Sequence, residues 1–193
     1  MKYNILRIAF LVIIFNITPQ LYSQATFESS RYNYSLTIPE NWIQIPDSVL
    51  ERYLRVISGV YDIEYIEHDA GFQLESDRYM TYPMIFVRVK DAGELDFEDF
   101  VYLFEKNNEK YFKKAVDKFK GDMSMDIDGE FVVDNENSIM YFAAKGNYFK
   151  TDIRFLTMVK FINGYIITIN AFDEVDKFDS SINTFIDIIY SVK

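Results

Sequence analysis

The side chains with the clearest potential for chemistry lie around the only histidine of the chain, His68. Glu67 and Asp69 flank it, and a carboxylate beside an imidazole can orient that imidazole as a general base. A hydrolase built on this sequence would use carboxylates such as Glu64, Glu67 and Asp69. A general base also needs a nucleophile or an electrophile, and no spacing in the sequence supplies one. We therefore favour a histidine that braces a polar loop, and the hydrolase stays as the alternative.

A second acidic group partly matches a calcium-binding loop. The run Asp126-Ile127-Asp128-Gly129 corresponds to the middle of an EF-hand. If Gly129 takes the sixth loop position, Ser124 takes the first and Asn135 the twelfth, so the bidentate glutamate is missing. The run therefore predicts a solvated turn between a helix and a sheet. We predict no metal site and no other cofactor.

Four tyrosines follow neither a helix nor a strand period: Tyr61, Tyr65, Tyr79 and Tyr82. The segment that they span also contains His68 and is long for a connection, and long connections in compact domains are often functional. A tyrosine offers a large contact area with a polar tip, as binding surfaces require. We predict a binding surface for a ligand or partner from Tyr61, Tyr65, His68, Tyr79 and Tyr82. The alternative is that these tyrosines pack the segment onto a sheet.

The composition removes most catalytic chemistries. The 193 residues contain no cysteine, which excludes a disulfide framework, a thiol nucleophile and a thiolate metal site. A single histidine also excludes catalysis by a histidine pair and a zinc site rich in histidine. With 49% hydrophobic and 26% charged residues the chain is typical of a globular protein. No repeat or linker divides it, so we expect one domain. We therefore expect that the protein is not an enzyme.

The first 24 residues have the three-part layout of a secretory signal peptide. Lys2 and Arg7 give a positive start, residues 8–17 are apolar except for Asn16, and the chain is polar and small up to Ala25. The apolar run is much shorter than the roughly 20 residues that a membrane-spanning helix needs. We therefore predict an exported protein, periplasmic or extracellular, with residues 25–193 as a single domain and no stable membrane span after processing. An uncleaved anchor is the competing interpretation.

Loss of this segment would make the domain strongly acidic. Residues 1–24 contain two of the 20 basic residues and none of the 30 acidic ones, so the mature net charge is 18 − 30 = −12. The electrostatic field of a domain with this charge repels nucleic acid and anionic lipid. A protein or small ligand remains as partner, and the charge favours a basic or cationic one.

The elements that must position these residues follow from periodicity. Tyr34 to Ile38 alternates as a strand, Ser48 to Glu51 predicts a capping box before a short helix that ends near Gly59, and a long amphipathic helix starts at Asp96 and is closed by Gly121. Further strands are predicted at 72–75, 84–90, 131–133, 138–144, 153–161 and 165–172, and a last helix at 176–192.

Asn163-Gly164 predicts a two-residue hairpin, because both residues tolerate a positive φ. In its register Phe155, Phe161 and Ile166 share one face, whereas Leu156 and Ile167 share the other. A sheet that is apolar on both faces needs cover on both. The predicted fold class is therefore α+β, an α/β/α sandwich with a central, mostly antiparallel sheet and helices on both faces.

In this order of elements the chain resembles the PsbP-like family. The resemblance begins at Tyr32-Asn33-Tyr34-Ser35-Leu36-Thr37-Ile38-Pro39-Glu40-Asn41-Trp42, continues through Tyr82-Pro83 and the strand after it, and ends with the helix closing in Phe185-Ile186-Asp187-Ile188-Ile189-Tyr190. The family includes the lumenal accessory protein of photosystem II, a eukaryotic factor that binds the GTPase Ran, and exported bacterial proteins. The resemblance implies the sandwich fold and a non-catalytic binding or accessory role, and it transfers no functional residue. A structural subunit of an envelope assembly is a further alternative.

Overall fold

The structure is a computed structural model that describes residues 24–62, 64–118, 124–129, 131–148 and 151–193. The described strands are β1 (Gln24–Ser29), β2 (Tyr34–Pro39), β3 (Trp42–Gln44), β4 (Ala70–Leu74), β5 (Met84–Asp91), β6 (Ser124–Ile127), β7 (Val132–Asp134), β8 (Ile139–Tyr148), β9 (Thr151–Ile162) and β10 (Tyr165–Glu174). The helices are α1 (Asp47–Tyr61), α2 (Phe97–Lys118) and α3 (Phe178–Tyr190). The predicted signal peptide, except for Gln24, and the predicted helix end at Gly121 lie outside the described residues.

Eight of the strands form one antiparallel sheet in the order β3-β4-β5-β10-β9-β8-β6, with β7 also paired to β8. The predicted hairpin at its centre is confirmed, because Tyr165 lies opposite Ile162 and both turn residues have positive φ, 52° at Asn163 and 80° at Gly164. This register places Phe155, Phe161 and Ile166 on one face, as predicted, and Leu156 and Ile167 on the other.

The face with Leu156 and Ile167, which we call the back face, carries the main core. Helix α3 covers it through the buried Phe178, Phe185 and Ile189, and β1 and β2 form a separate hairpin beside the helix. Trp42, from the strand-Pro-x-x-Trp sequence, packs edge-on against Phe185 with ring centroids 6.2 Å apart. The sequence after Pro39 therefore anchors the edge strand β3 to the last helix.

The opposite, front face is covered by the other two helices. The ring centroid of Tyr53 in α1 lies 6.1 Å from that of Phe86 in β5. The ring centroid of Phe100 in α2 lies 5.2 Å from that of Phe161 in β9. Helices therefore lie on both faces of an antiparallel sheet. The predicted α+β sandwich is confirmed.

Three local predictions differ from the structure. Helix α1 begins two residues earlier than the capping box requires, because Pro46 is the N-cap and its carbonyl accepts from the amides of Val49 and Leu50. Ser48 therefore lies inside the helix and does not cap it. The helix continues past Gly59 to a left-handed cap at Asp62, φ 53°. The first two residues of the acidic run, Asp126 and Ile127, belong to strand β6, so only the rest of the run is a turn.

The tyrosine-bearing segment contains a strand close to the one predicted at 72–75. Strand β4 occupies its middle and pairs with β5, with Phe72 opposite Ile85. Two short connections remain, one on each side of β4. Phe72 is buried on the back face, so packing against the core fixes this strand despite its weak local pattern.

Candidate functional site

A cavity of about 500 Å³ opens where α1, the connection before β4 and the β1–β2 turn meet. Its walls carry more polar than apolar side chains, contributed by three separate parts of the chain. The lining residues are Asp47, Leu50, Glu51, Leu54 and Arg55 of α1, Tyr65, Glu67, His68 and Asp69 of the connection, and Arg31 of the turn.

The position of α1 beside this cavity depends on a close approach at Gly71 of β4. A Cβ atom at Gly71 would lie 3.2 Å from the side chain of Leu50, so the glycine lets the helix sit close to the strand. The amide of Asp69 donates to the carbonyl of Val87 at 2.8 Å, which fixes the end of the connection to β5. The helix and the connection are therefore both fixed to the sheet.

Two arginines at the cavity are each paired with a glutamate. Arg31 donates to Glu67 at 2.6 Å, and Arg55 donates to Glu51 at 2.7 Å. The guanidinium of Arg55 also lies over the ring of Tyr65, 4.5 Å from its centroid. The side chains of Arg31 and Glu67 are 61% and 65% exposed, so their pair contributes little stability and can open for a partner.

Two further carboxylates, Asp47 and Asp69, give the cavity a net negative charge. Asp47, Glu51, Glu67 and Asp69 face only Arg31 and Arg55, so the formal charge with a neutral His68 is 2 − 4 = −2. A cavity with this balance and a tyrosine ring favours cations, since an ammonium or guanidinium group is attracted by both.

His68 is partly buried at the cavity wall, and burial favours its neutral form by lowering its pKa. Its Nδ1 lies 2.9 Å from the carbonyl of Ile66, which can only accept, so Nδ1 carries the proton and Nε2 is an acceptor. Burial lowers the pKa of His68 below 6.5, and the positive charge of Arg88 lowers it further, against the hydrogen bond to Ile66. The ring packs on Phe86, with centroids 5.8 Å apart.

Three of the four cavity carboxylates already accept hydrogen bonds within the protein. Glu51 and Glu67 accept from arginines, and Asp69 accepts from the hydroxyl of Tyr34 at 2.7 Å. Glu64, the third carboxylate of the hydrolase alternative, is exposed and does not line the cavity. These contacts suit recognition better than proton transfer.

Of the five residues predicted as a binding surface, the four whose side chains the structure describes are not brought together. Tyr65 and His68 line the cavity, Tyr79 is 47% exposed on the connection after β4, and Tyr82 packs against two core clusters on the front face. The side chain of Tyr61 lies outside the described part of the structure. The set therefore divides into a cavity pair, one surface tyrosine and one packing tyrosine.

The buried Gln73 explains why Tyr79 lies apart. Its side chain donates to the carbonyl of Arg78 at 2.7 Å and accepts from the amide of Met80 at 2.7 Å. These bonds hold the second connection as a tight loop against β4.

The contribution of α1 and Arg31 to this site was not predicted from the sequence. Glu51 and Arg55 are four residues apart, a spacing that does indicate a helical ion pair. Arg31 and Glu67 are 36 residues apart, and no local pattern could link them.

Within the described ranges, no three potential metal-ligand side chains come close enough to hold an ion. Asp128, from the run that resembles an EF-hand, is paired with Arg154 at 2.8 Å. None of the helices in the same ranges has the length and apolarity that crossing a bilayer requires.

Comparison with solved structures identifies the fold. The cyanobacterial PsbP, CyanoP, from Synechocystis sp. PCC 6803 superposes with a TM-score of 0.58 over 91% of this chain and 95% of its own, at 15% identity. The chain has the PsbP-like fold. LpqN of Mycobacterium tuberculosis, described as involved in cell envelope biogenesis, matches with a TM-score of 0.50 over 89% of this chain and 90% of its own, at 11% identity.

The Ran-binding protein Mog1p of Saccharomyces cerevisiae also matches, over 89% of this chain and 95% of its own, with a TM-score of 0.46 and 7% identity. No family model matches the sequence, and no curated protein does. The match to CyanoP confirms, at the level of structure, the PsbP-like fold expected from the order of elements. At these identities the likeness extends to fold and not to function.

Proposed function

We propose that this chain is an exported, non-enzymatic binding or accessory module that recognises a basic partner through the cavity beside α1. The observation that carries the proposal is the cavity itself, which joins Tyr65 and His68 with four carboxylates and only two arginines. The partner would present a lysine or arginine side chain to Tyr65 and to the carboxylates.

The exposed ion pairs support an exchange of partners at this site. An incoming guanidinium can replace Arg31 on Glu67 or Arg55 on Tyr65 without leaving a buried charge unpaired, since both arginines are at the surface. The net charge of 18 − 30 = −12 that remains after loss of residues 1–24 would speed the encounter with a basic protein. Export rests on the leader-like first 24 residues.

The lack of cysteine makes a sharp crosslinking test possible. A single cysteine placed by Asp47→Cys carries a photocrosslinker at the cavity rim, and Glu94→Cys, before α2, serves as the matched control. In the native envelope fraction we expect one basic protein to crosslink from position 47 and not from position 94, and added salt should reduce the yield. Equal labelling from both positions, or an acidic product, would show that the cavity is not the contact surface.

A further inference from the structure

The front face of the sheet has a polar centre between two aromatic groups. Strand register places Arg88 of β5 opposite Thr168 of β10, and Asn170 of β10 opposite Thr157 of β9. All four side chains are partly buried and lie on the same face of three adjacent strands. We call these four residues the polar strip.

The two helices of the front face pack on either side of the polar strip. On one side Tyr53 of α1 and the ring of His68 both pack on Phe86. On the other side the ring centroid of Phe97 of α2 lies 5.6 Å from that of Phe161. Later phenylalanines of α2 pack further along the sheet. The strip is therefore partly open to solvent between aromatic walls.

The polar strip offers hydrogen-bond donors without matching acceptors. The hydroxyl of Thr157 donates to Oδ1 of Asn170 at 2.9 Å, which leaves the two Nδ2 hydrogens of Asn170 without an acceptor among the described residues. Arg88 likewise has no hydrogen bond or ion pair with any residue in the described part of the chain. No carboxylate belongs to the strip.

Arg88 differs from Arg154, the other partly buried arginine among the described residues. Arg154 is also partly buried on the sheet, and it contacts two carboxylates, Asp128 at 2.8 Å and Asp179 at 2.6 Å. Arg88 is partly buried too, and a carboxylate partner stabilises a guanidinium wherever its contact with water is reduced. The described protein supplies none for Arg88.

We propose that the polar strip binds the carboxylate group of an organic acid, with Arg88 as its main partner. The planar guanidinium matches a carboxylate through two parallel hydrogen bonds, and Nδ2 of Asn170 and the hydroxyl of Thr168 can add donors at its side. The partly buried ring of Tyr53, which packs on Phe86 beside the strip, suits an apolar or aromatic portion of the ligand. This site is distinct from the cavity, where arginines are neutralised and acids are in excess.

The single histidine provides a direct reporter. The charge of Arg88 already influences His68, so an anion on Arg88 should move the imidazole NMR signal and raise its pKa. We would titrate the protein with sodium benzoate at constant ionic strength, using sodium chloride as the reference salt. A saturable shift is expected with benzoate and a weaker one with acetate.

Matched variants test the role of Arg88. Arg88→Gln should weaken the apparent affinity for benzoate at least tenfold, whereas Arg52→Gln, at an exposed arginine of α1, should leave it unchanged. If Arg88→Gln fails to fold, Asn170→Asp should abolish the shift by placing a negative charge in the strip. An absent or non-saturable shift in the wild type, or an equal response in Arg88→Gln or Asn170→Asp, would overturn the proposal.

A second comparison distinguishes the two sources of a carboxylate. A short peptide that ends in phenylalanine with a free carboxyl terminus is compared with its carboxyl-terminal amide and with benzoate. Tighter binding of the free peptide indicates a protein terminus, and tighter binding of benzoate indicates a free small acid. Equal binding of the peptide and its amide would show that the carboxylate is not recognised.

Discussion

The hydroxyl of Tyr34 donates a 2.7 Å hydrogen bond to the carboxylate of Asp69. Tyr34 is only 3% exposed in the back-face core, whereas Asp69 lies at the cavity wall. Burial raises the pKa of Tyr34 far above its usual value, and the hydrogen bond to Asp69 raises it further, so the phenol remains a donor at every physiological pH. This contact connects the core directly to the connection that carries Tyr65 and His68.

Tyr34→Phe should therefore destabilise the protein by about 1 to 3 kcal/mol, because the charged acceptor Asp69 loses its donor. Crosslinking from position 47 should also fall, since the connection loses an anchor. Urea unfolding measures the first effect. Tyr102→Phe is the control, because Tyr102 is 60% exposed and its substitution should leave the midpoint unchanged. Equal midpoints for Tyr34→Phe and the wild type would contradict the assigned role.

His68 should show a pKa below 6.5 in an NMR titration, because burial opposes protonation. The unfolded chain then binds a proton at a higher pH than the folded chain. The contribution of His68 is thus fully present above the unfolded pKa, near 6.5, and is lost as the pH falls through the lower folded value. His68→Gln should remove this part of the pH dependence. A folded pKa at or above 6.5 would show that the ring is solvated.

The turn at Asn163-Gly164 allows a clean test of backbone strain. No atom lies within 4 Å of a Cβ added at Gly164, but its φ of +80° disfavours a β-branched residue. Gly164→Val should cost more than about 1 kcal/mol in urea unfolding. Gly59→Ala, inside α1 with equally open space, should instead stabilise by roughly 0.5 to 1 kcal/mol. Loss of stability in both variants would show that the added side-chain atoms clash with their surroundings, and would contradict the explanation by backbone strain.

Periodicity predicted the central part of this fold because its signals are local. The alternation in β5, β9 and β10 and the turn at Asn163-Gly164 fix register and burial together, and from these the need for helices on both faces follows. β1 was missed because its first three residues are exposed and no alternation marks it. Its partner β2 then lies in a separate hairpin and not in the main sheet.

The cavity could be predicted only in part for a different reason. Tyr65 and His68 can be selected from the sequence by their residue types. Arg31 and Asp47 come close to them only when the β1–β2 turn and α1 pack beside the connection. Pro46 likewise replaced the expected cap at Ser48, since a fixed φ at the helix start competes with side-chain capping. Long-range contacts of this kind leave no periodic signal.

Processing near Ala25 should leave the described fold intact, because β1 begins at Gln24 and cleavage would remove only its first residue. Intact-mass measurement of the exported protein should show the loss of about 23 to 25 residues, as the signal-peptide layout predicts. A full-length species that stays in the membrane would establish the anchor instead.

The tyrosines provide the last prediction, because the structure assigns them different surroundings. Tyr82 packs against the front-face clusters that contain Phe86 and Phe155, so Tyr82→Ser should destabilise by about 2 to 4 kcal/mol. Tyr65→Ser loses mainly its contact with Arg55, about 0.5 to 1 kcal/mol. Crosslinking from position 47 should nevertheless fall in Tyr65→Ser, whereas Tyr79→Ser, at an exposed site outside the cavity, should change neither quantity. A loss of several kcal/mol in Tyr65→Ser would mean that this tyrosine packs the connection and that its role in binding must be abandoned.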